Sequence, residues 1–157
     1  MNAGGESTPV PTAVSLRSLL GIKSVSRTTA ADLGPVNGAL VDAARRRVVA
    51  WCVGKGRHAR MVDQSHLSGV GAAAVVVEDE SFLRSPAGDA EKALAKGRLG
   101  LIGAPLLTVA GNSAGEVYDA DLDPASGELY WLRSATATIP ADRLVGYGSF
   151  AAVITGL

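Results

Sequence analysis

Three aspartates, Asp119, Asp121 and Asp123, alternate along a short segment and could together hold a cation. Alternating carboxylates open the EF-hand calcium loop, which also needs glycine at position 6 and glutamate at position 12. Counted from Asp119, those two positions hold Pro124 and Tyr130. A strand would also place the three carboxylates on one face without bringing them together. We therefore expect a solvated strand face here rather than a metal site.

Cys52, His58 and His66 are the soft metal ligands and candidate nucleophilic groups of the sequence. Zinc sites use ligands paired at short spacing, whereas here a single cysteine stands in the apolar run of residues 48–53. A free cysteine in such a run is normally a small core residue. The hydroxyl, acidic and histidine side chains of residues 63–68 are too close in the chain for a catalytic triad, which is assembled from distant segments. We expect no catalytic residue, no metal, no cofactor and no enzymatic activity.

Arginine and tryptophan dominate the hot spots of protein interfaces, and both occur here at prominent positions. Three arginines follow one another at residues 45–47 without interleaved aromatic residues, which favours an exposed turn over a nucleic-acid contact. Trp51 and Trp131 permit two interpretations, either buried core aromatics or binding anchors on an exposed face. The candidate interaction residues are Arg45, Arg46, Arg47, Trp51, Arg57, Asp119, Asp121 and Trp131.

The chain carries one pattern of residues twice. Residues 67–77 align with residues 144–154 at an offset of 77 residues, and Trp51 falls on Trp131 at an offset of 80. The small drift in the offset is absorbed by gaps at predicted turns. A repeat of this length predicts two copies of one folding unit.

Alternating hydrophobicity predicts a hairpin in each copy. Residues 119–123 and 128–133 form the hairpin of the second copy, with Ala120 and Leu122 facing inward and the three aspartates facing water. The equivalent hairpin of the first copy spans residues 36–53.

Two further segments have clear local signals. The glycine-containing residues 143–148 predict a polar turn. Residues 89–96 predict a short linker helix laid across the two copies, with Asp89 as its N-cap and Gly97 as its stop.

The features of the second copy follow one another in a recognisable order. A glycine-containing turn, Gly-x-Val, an acidic strand, an Asp-Pro-x-x-Gly turn, an apolar return strand, Ile-Pro and Leu-x-Gly-x-Gly lead to a closing apolar strand. The residues concerned are Gly103, Gly111, Gly115, Glu116, Val117, Asp119, residues 123–127, Leu129, Trp131, Ile139, Pro140, Leu144 and Gly146. This order resembles the PRC-barrel family. The first copy, residues 19–77, resembles it more loosely and lacks the Pro-x-x-Gly turn and the Ile-Pro pair.

The resemblance implies an all-β fold of two tandem small antiparallel β-barrels joined by a short helical linker. The composition of residues 1–14 predicts a disordered leader, and a change of composition predicts a linker over 79–98 between a first PRC-barrel-like domain over 15–78 and a second over 99–157. Such barrels occur in the cytoplasmic part of the photosynthetic reaction-centre H subunit, in a ribosome-maturation factor and in many small bacterial and archaeal proteins without known activity. Where their role is understood they bind other proteins or tune the surroundings of those proteins, and the family brings no catalytic residues to this chain.

Composition excludes several classes of protein. Hydrophobic residues make up 47% of the 157 residues, which is enough for a core, and the single cysteine excludes an internal disulfide. No run approaches the roughly 20 apolar residues that span a bilayer. Residues 1–14 lack the basic start and apolar run of a signal peptide, so we expect a soluble cytoplasmic protein. The formal net charge of zero argues against a dedicated nucleic-acid binder.

That net charge hides an asymmetry between the copies. Residues 15–77 hold nine lysines and arginines against three acidic residues, a net charge of +6, whereas residues 99–157 hold two arginines against six acidic residues, a net charge of −4. This asymmetry permits two interpretations. One is unselected variation on solvated surfaces; the other is complementarity that docks the copies within one chain or leads to self-association.

We expect a non-enzymatic protein-interaction or scaffold module built from two PRC-barrels, whose protein partner the sequence does not identify. One alternative is an RNA- or ribosome-associated factor that uses the basic first barrel. A second alternative is a domain that binds a small ligand in a pocket between the barrels.

Overall fold

The computed structural model describes residues 12–156, and strands predominate among them. Strands account for 45% of these residues and helices for 17%, so the expectation of a mainly β fold is confirmed. No helix within the described range is long and apolar enough to cross a membrane. The predicted disordered leader lies outside the described residues except at its end, where Val14 belongs to a strand.

Fourteen strands and two α-helices are described for this chain. In chain order they are β1 (Val14–Ser15), α1 (Leu16–Leu19), β2 (Lys23–Ser26), β3 (Asp32–Asp42), β4 (Arg47–Val53), β5 (Arg60–Asp63), β6 (Leu67–Val70), β7 (Ala74–Val77), α2 (Gly88–Ala95), β8 (Pro105–Thr108), β9 (Ser113–Glu116), β10 (Asp119–Leu122), β11 (Leu129–Arg133), β12 (Thr138–Pro140), β13 (Leu144–Tyr147) and β14 (Ala152–Ile154). Short 3-10 helices occupy Gly56–His58, Gln64–His66, Glu80–Phe82 and Ala141–Arg143.

The first half forms one six-stranded sheet with the spatial order β5-β4-β3-β2-β7-β6. Its neighbouring strands are antiparallel except β2 and β7, which run parallel from the pair Lys23–Ala74 to the pair Ser26–Val77. The predicted hairpin over residues 36–53 is confirmed as β3 and β4. From Val48 to Val53, β4 is apolar and all of its residues except Val49 are buried, as in a central strand that is covered on both faces.

The second half forms two four-stranded sheets, β9-β8-β14-β13 and β12-β11-β10-β1. The predicted hairpin over residues 119–133 is confirmed as β10 and β11. Residues 143–148 were expected to be a turn, but most of them form β13, whose register shift before Gly146 allows a glycine-containing strand to pair with β14. Strands β8 and β14 are parallel, like β2 and β7.

With β1 set aside, both halves therefore pair their strands in the same order. In each half the first and last strands are parallel neighbours, β2 with β7 and β8 with β14. Each of the three sheets described here nevertheless ends in two edge strands. The expected closed barrels are thus not present as continuous hydrogen-bonded cylinders.

The start of the described chain lies on the second half. In β1, Ser15 pairs with Asp121 and Val14 pairs with Leu122, which adds a fourth strand to the sheet of β10 to β12. Leu16 and Leu19 of α1 follow at once and are buried. Residues 14 and 15 thus pair with the second half, although they precede the first half in the sequence.

A helix is present at the predicted place, as α2, but it begins and ends one residue earlier and, rather than lying across both copies, packs mainly on β3 and β4 of the first half. Its N-cap is Ala87, and Asp89 lies in the first turn, where a negative charge interacts favourably with the helix dipole. The Ala87 N–H donates to Glu91 Oε1 at 2.9 Å, while the N-cap residue itself provides no side-chain cap. Leu94 is buried against Gly38 of β3, where an added Cβ would lie only 2.8 Å from the Leu94 side chain. Glycine in β3 therefore lets the helix pack closely on the first sheet.

One apolar core is common to both halves. The larger cluster of buried side chains includes Trp51 and Val75 from the first half and Leu122 and Ile154 from the second. Backbone bonds also cross the boundary: Val48 N–H donates to the Gly127 carbonyl at 2.8 Å, and Leu129 N–H donates to the Arg46 carbonyl at 2.9 Å. The two halves thus form one packed body.

Candidate functional site

The outer face of the sheet β12-β11-β10-β1 presents aromatic and charged side chains to solvent. Strand β11 buries Leu129 and Leu132 and exposes Trp131 and Arg133. The register of β10 against β11 shifts between Asp121 and Leu122, which explains why the buried leucines do not alternate strictly.

Trp131 lies in the middle of this face. Asp121 of β10 and Pro140 of β12 pair with it on either side, and Ser15 of β1 pairs with Asp121. Residues directly opposite each other in a sheet share a face, so these four form one row. Trp131 is 42% exposed, and its indole therefore offers a large apolar surface on a fixed backbone.

Arg133 neutralises Asp121. Its Nε donates to Asp121 Oδ2 at 3.0 Å, and a second guanidinium nitrogen donates to the same oxygen. The Asp121 side chain is only 12% exposed, whereas that of Arg133 is 48% exposed. The prediction that all three aspartates face water is wrong for Asp121, because pairing with arginine makes its burial tolerable. The exposed part of the guanidinium remains accessible to a partner.

Asp119 holds the N-terminal segment on this sheet. Its Oδ2 accepts a hydrogen bond from the Ser15 hydroxyl, and its Oδ1 accepts one from the Arg17 N–H at 2.9 Å. Both oxygens are therefore engaged inside the chain. Asp119 acts by positioning Arg17 rather than by offering a free carboxylate.

Arg17 stacks on Tyr118 beside the same sheet. The guanidinium carbon lies 4.6 Å from the ring centroid, and the Arg17 side chain donates to the Tyr118 carbonyl at 3.2 Å. Tyr118 is 57% exposed, and its N–H donates to the Arg133 carbonyl at 2.7 Å. We call Arg17, Tyr118, Trp131 and Arg133 together the aromatic face.

Two adjoining clefts border the aromatic face. They have volumes of about 490 Å³ and 500 Å³ and share Tyr118 and residues 134–136. Both clefts are open to solvent, and they resemble a docking surface more than an enclosed ligand site.

Arg45, Arg46 and Arg47 lie at the other end of the β10–β11 hairpin. Their side chains are exposed, as expected, and Arg46 takes a positive φ of 54° in the turn. Their backbone pairs with the second half, where Arg47 faces Glu128 in an antiparallel bridge. This turn is therefore part of the junction between the halves, which the sequence did not indicate.

The remaining candidates lie elsewhere. Trp51 is fully buried, and its Nε1 donates to Gln64 Oε1 at 2.6 Å, so its ring is inaccessible to a partner. Arg57 is exposed on a 3-10 helix and lines a cleft of about 420 Å³ together with Arg60, Lys92 and Lys96. We call these four residues the basic cleft.

The Cys52 thiol and the imidazoles of His58 and His66 do not form one site. Burial raises the pKa of the Cys52 thiol, which keeps it protonated and a poor nucleophile. His58 is exposed, whereas the His66 ring stacks on Phe82 with centroids 3.7 Å apart. Among the described residues, no three His, Cys, Asp or Glu side chains are grouped as metal ligands would be.

Sequence reasoning missed three of the four residues of the aromatic face. Arg133 could have been found, because it stands two positions from Trp131 on one strand and so shares its side of the sheet. Tyr118 precedes that hairpin without a distinguishing local pattern. Arg17 reaches the site only through the tertiary pairing of β1, which no local signal reveals.

Comparison with models of known protein families gives no match for this chain, and comparison with curated proteins gives none either. The resemblance to the PRC-barrel family therefore stays a prediction that rests on the residues that carry it.

Proposed function

We propose that this protein is a non-enzymatic interaction module that binds another protein through the aromatic face. The observation that carries the proposal is the exposure of Trp131 and Tyr118, 42% and 57%, with Arg133 on the same strand as Trp131 and Arg17 stacked on Tyr118. Tryptophan, tyrosine and arginine are the residues that most often dominate binding energy at protein interfaces.

Side chains of the aromatic face are also held in place before a partner binds. Asp121 holds the Arg133 side chain, and Tyr118 holds the Arg17 side chain, while Asp119 fixes the Arg17 backbone. Side chains that are already ordered lose little conformational entropy when a partner docks. The complementary partner is a protein segment with apolar side chains to cover Trp131 and with carboxylate or carbonyl oxygens for the free guanidinium donors.

The same proposal describes each half as a PRC-barrel-like unit, the two being copies of one module in a soluble cytoplasmic protein. Its support is the equal order of strand pairings in the halves, including the parallel first and last strands. The aromatic face then belongs to the second unit, with β1 added at its edge.

A comparative pull-down from the native cell tests this function. The bait proteins are the unaltered chain, Trp131→Ala and a control, Phe150→Ala, which removes an aromatic ring that is 76% exposed outside the aromatic face. Proteins retained by the unaltered chain and by Phe150→Ala, but lost with Trp131→Ala, support the proposal. Identical protein profiles from all three baits contradict it.

Association with RNA or the ribosome is a second candidate function, favoured by the basic cleft. Arg57 and Arg60 come from the first half, Lys92 comes from α2, and Lys96 directly follows α2. Four cations in one cleft suit a phosphate backbone. Retention on RNA that falls with added salt and with Arg57→Glu supports this function, and absence of retention at low salt removes it.

A further inference from the structure

The basic cleft lies where the first half meets α2, and it has the size of a small-molecule site. Its volume of about 420 Å³ falls within the roughly 300–1,000 Å³ that ligand pockets occupy. Small residues line the cleft beside its four cations, among them Gly56, Ala59, Pro86 and Ala95. The cleft therefore has room for an organic group next to its charges.

All four cations of the basic cleft are exposed, and the backbone sets the positions of three of them. The Lys96 N–H donates to the Lys92 carbonyl at 3.1 Å, so these two lysines lie one helical turn apart on the same face, about 6 Å along the axis. The Arg60 guanidinium donates to the carbonyls of Arg57 and Ala59, at 3.4 Å and 3.1 Å, which places its charge among the residues of the cleft. Both bonds come from one nitrogen, which leaves the other donors of the guanidinium for a ligand.

The charges of the basic cleft are not neutralised inside the described part of the chain. None of the ion pairs within residues 12–156 includes one of its four cations. Glu91 and Asp63 are both bonded to Arg84, and Asp89 of α2 lines a different cleft. Like charges that surround one cleft repel one another, and a bound anion with several negative charges removes that repulsion.

The residues that line the basic cleft favour a compact anion over a strand of nucleic acid. Proteins that bind single strands stack the bases on aromatic side chains, yet the described lining of this cleft includes no aromatic ring. A duplex distributes its charges along the whole helix axis, whereas these cations surround a single cleft. Linked phosphate groups concentrate negative charge in a small volume, and guanidinium and ammonium groups both bind phosphate oxygens.

We propose that the basic cleft binds a small organic molecule that carries a diphosphate or triphosphate group. The phosphates contact the four cations, and the organic part packs against Pro86 and Ala95. Because the arginines belong to the first half and the lysines belong to α2 and its end, the bound ligand also fixes the helix on the first half. The site does not depend on the aromatic face. It uses the same residues as the candidate association with RNA, so RNA forms a separate arm of the test.

Calorimetric titration of the full chain with orthophosphate, pyrophosphate and ADP tests the site, at one fixed ionic strength and without divalent cations. We expect saturable binding of pyrophosphate, at least about tenfold tighter than that of orthophosphate, because it contacts more of the cations. ADP should bind at least as tightly as pyrophosphate, since its organic part adds contacts. Arg57→Gln and Lys96→Gln should each weaken pyrophosphate binding about fivefold, because one ion pair with the ligand is lost. Arg27→Gln, at an exposed arginine directly after β2, removes the same charge outside the cleft and should bind normally.

A single-stranded RNA oligonucleotide provides the second arm, and we expect it to bind more weakly than ADP. RNA that binds more tightly than ADP and is lost in Arg57→Gln overturns the proposal and assigns the cleft to RNA. Absence of saturable pyrophosphate binding also overturns it. So do equal affinities for pyrophosphate and orthophosphate, or equal losses in Arg27→Gln and Arg57→Gln, because either result shows only unspecific ionic attraction. None of these results affects the aromatic face, which the pull-down with Trp131→Ala tests separately.

Discussion

Trp51 and Gln64 form a fully buried hydrogen bond, from indole Nε1 to the amide Oε1 at 2.6 Å, at the junction of the two halves. At its other end, the Gln64 amide nitrogen lies 3.4 Å from the carbonyl oxygens of Pro124 and Ala125. A core tryptophan of the first half therefore fixes the side chain that contacts the β10–β11 turn of the second. That turn belongs to the same hairpin as Trp131.

Replacing Gln64 by leucine should destabilise the protein by about 1–3 kcal/mol, because the buried Trp51 N–H would lose its acceptor. Urea unfolding followed by tryptophan fluorescence measures the change. Ser65→Ala, at the adjacent exposed position, is the matched control and should stay within about 0.5 kcal/mol of the unaltered protein. Equal stability of the two variants would show that the Trp51–Gln64 bond does not support the junction.

Gly127→Ala should be more harmful than Gly111→Ala, although both glycines have a positive φ, 80° and 88°. An added Cβ at Gly127 would lie 2.4 Å from the Val48 carbonyl oxygen, whereas at Gly111 it would meet nothing within 4 Å. The Gly111 variant pays only the backbone strain of about 1–2 kcal/mol. We expect Gly127→Ala to lose about 1–3 kcal/mol more, from overpacking at the junction. Thermal unfolding of both variants checks the difference, and equal losses would contradict the close approach of the halves.

Acid should weaken the attachment of α2. Arg84 donates to both carboxylate oxygens of Glu91, at 2.6 Å and 2.9 Å, and also to Asp63 at 2.9 Å. Hydrogen bonds from Arg84 lower the pKa of Glu91 below its ordinary value. A depressed folded-state pKa stabilises the protein above the unfolded-state pKa, and this contribution is lost as the pH falls through the folded-state pKa.

The stability difference between the unaltered chain and Glu91→Gln should therefore be present at neutral pH and vanish in acid. Melting temperatures of both proteins, recorded from neutral to acidic pH, measure this difference in stability. Lys92→Gln, an exposed neighbour on α2, controls for the loss of a charge on the helix. A difference that is constant with pH would contradict the role of the Arg84–Glu91 pair.

Cleavage of the chain at a protease site inserted between Ser85 and Pro86 should leave the two fragments associated. They share one apolar core, and β1 of the first fragment pairs with β10 of the second. Since apolar burial is not screened by salt, the complex should persist at high ionic strength on gel filtration. Separation of the fragments at low salt would show that the halves are independent, and separation only at high salt would mean that their opposite charges hold them together.

The local elements of this fold could be predicted, but its long-range connections could not. The β10–β11 hairpin alternates in polarity, the β3–β4 hairpin ends in an apolar run, and a glycine follows the end of α2, so each has a signal within a short window. Strand β13 was mistaken for a turn because glycine and polar residues weaken its pattern, and only pairing with β14 makes it a strand. The pairing of β1 with β10 joins residues about a hundred positions apart, which no local pattern specifies.

Trp51 and Trp131 show the same limit of sequence-based prediction at the candidate site. They occupy equivalent positions in the proposed repeat, yet Trp51 is fully buried and Trp131 is 42% exposed. A signal was present, since Trp51 stands in the unbroken apolar run of β4 while Trp131 is followed within two residues by Arg133. Burial of Trp51 depends on Gln64 and on contact with the second half, and these come only with the tertiary structure.

Binding of a partner by Trp131→Ala tests the proposed interaction function most directly. Once the comparative pull-down has supplied a partner, calorimetry measures its affinity for the unaltered chain, Trp131→Ala and Phe150→Ala, with unfolding curves to show that all three are folded. The proposal predicts that Trp131→Ala loses at least about tenfold in affinity, as expected of a hot-spot residue, while Phe150→Ala binds normally. Normal binding by Trp131→Ala would contradict the assignment of the aromatic face as the interaction surface.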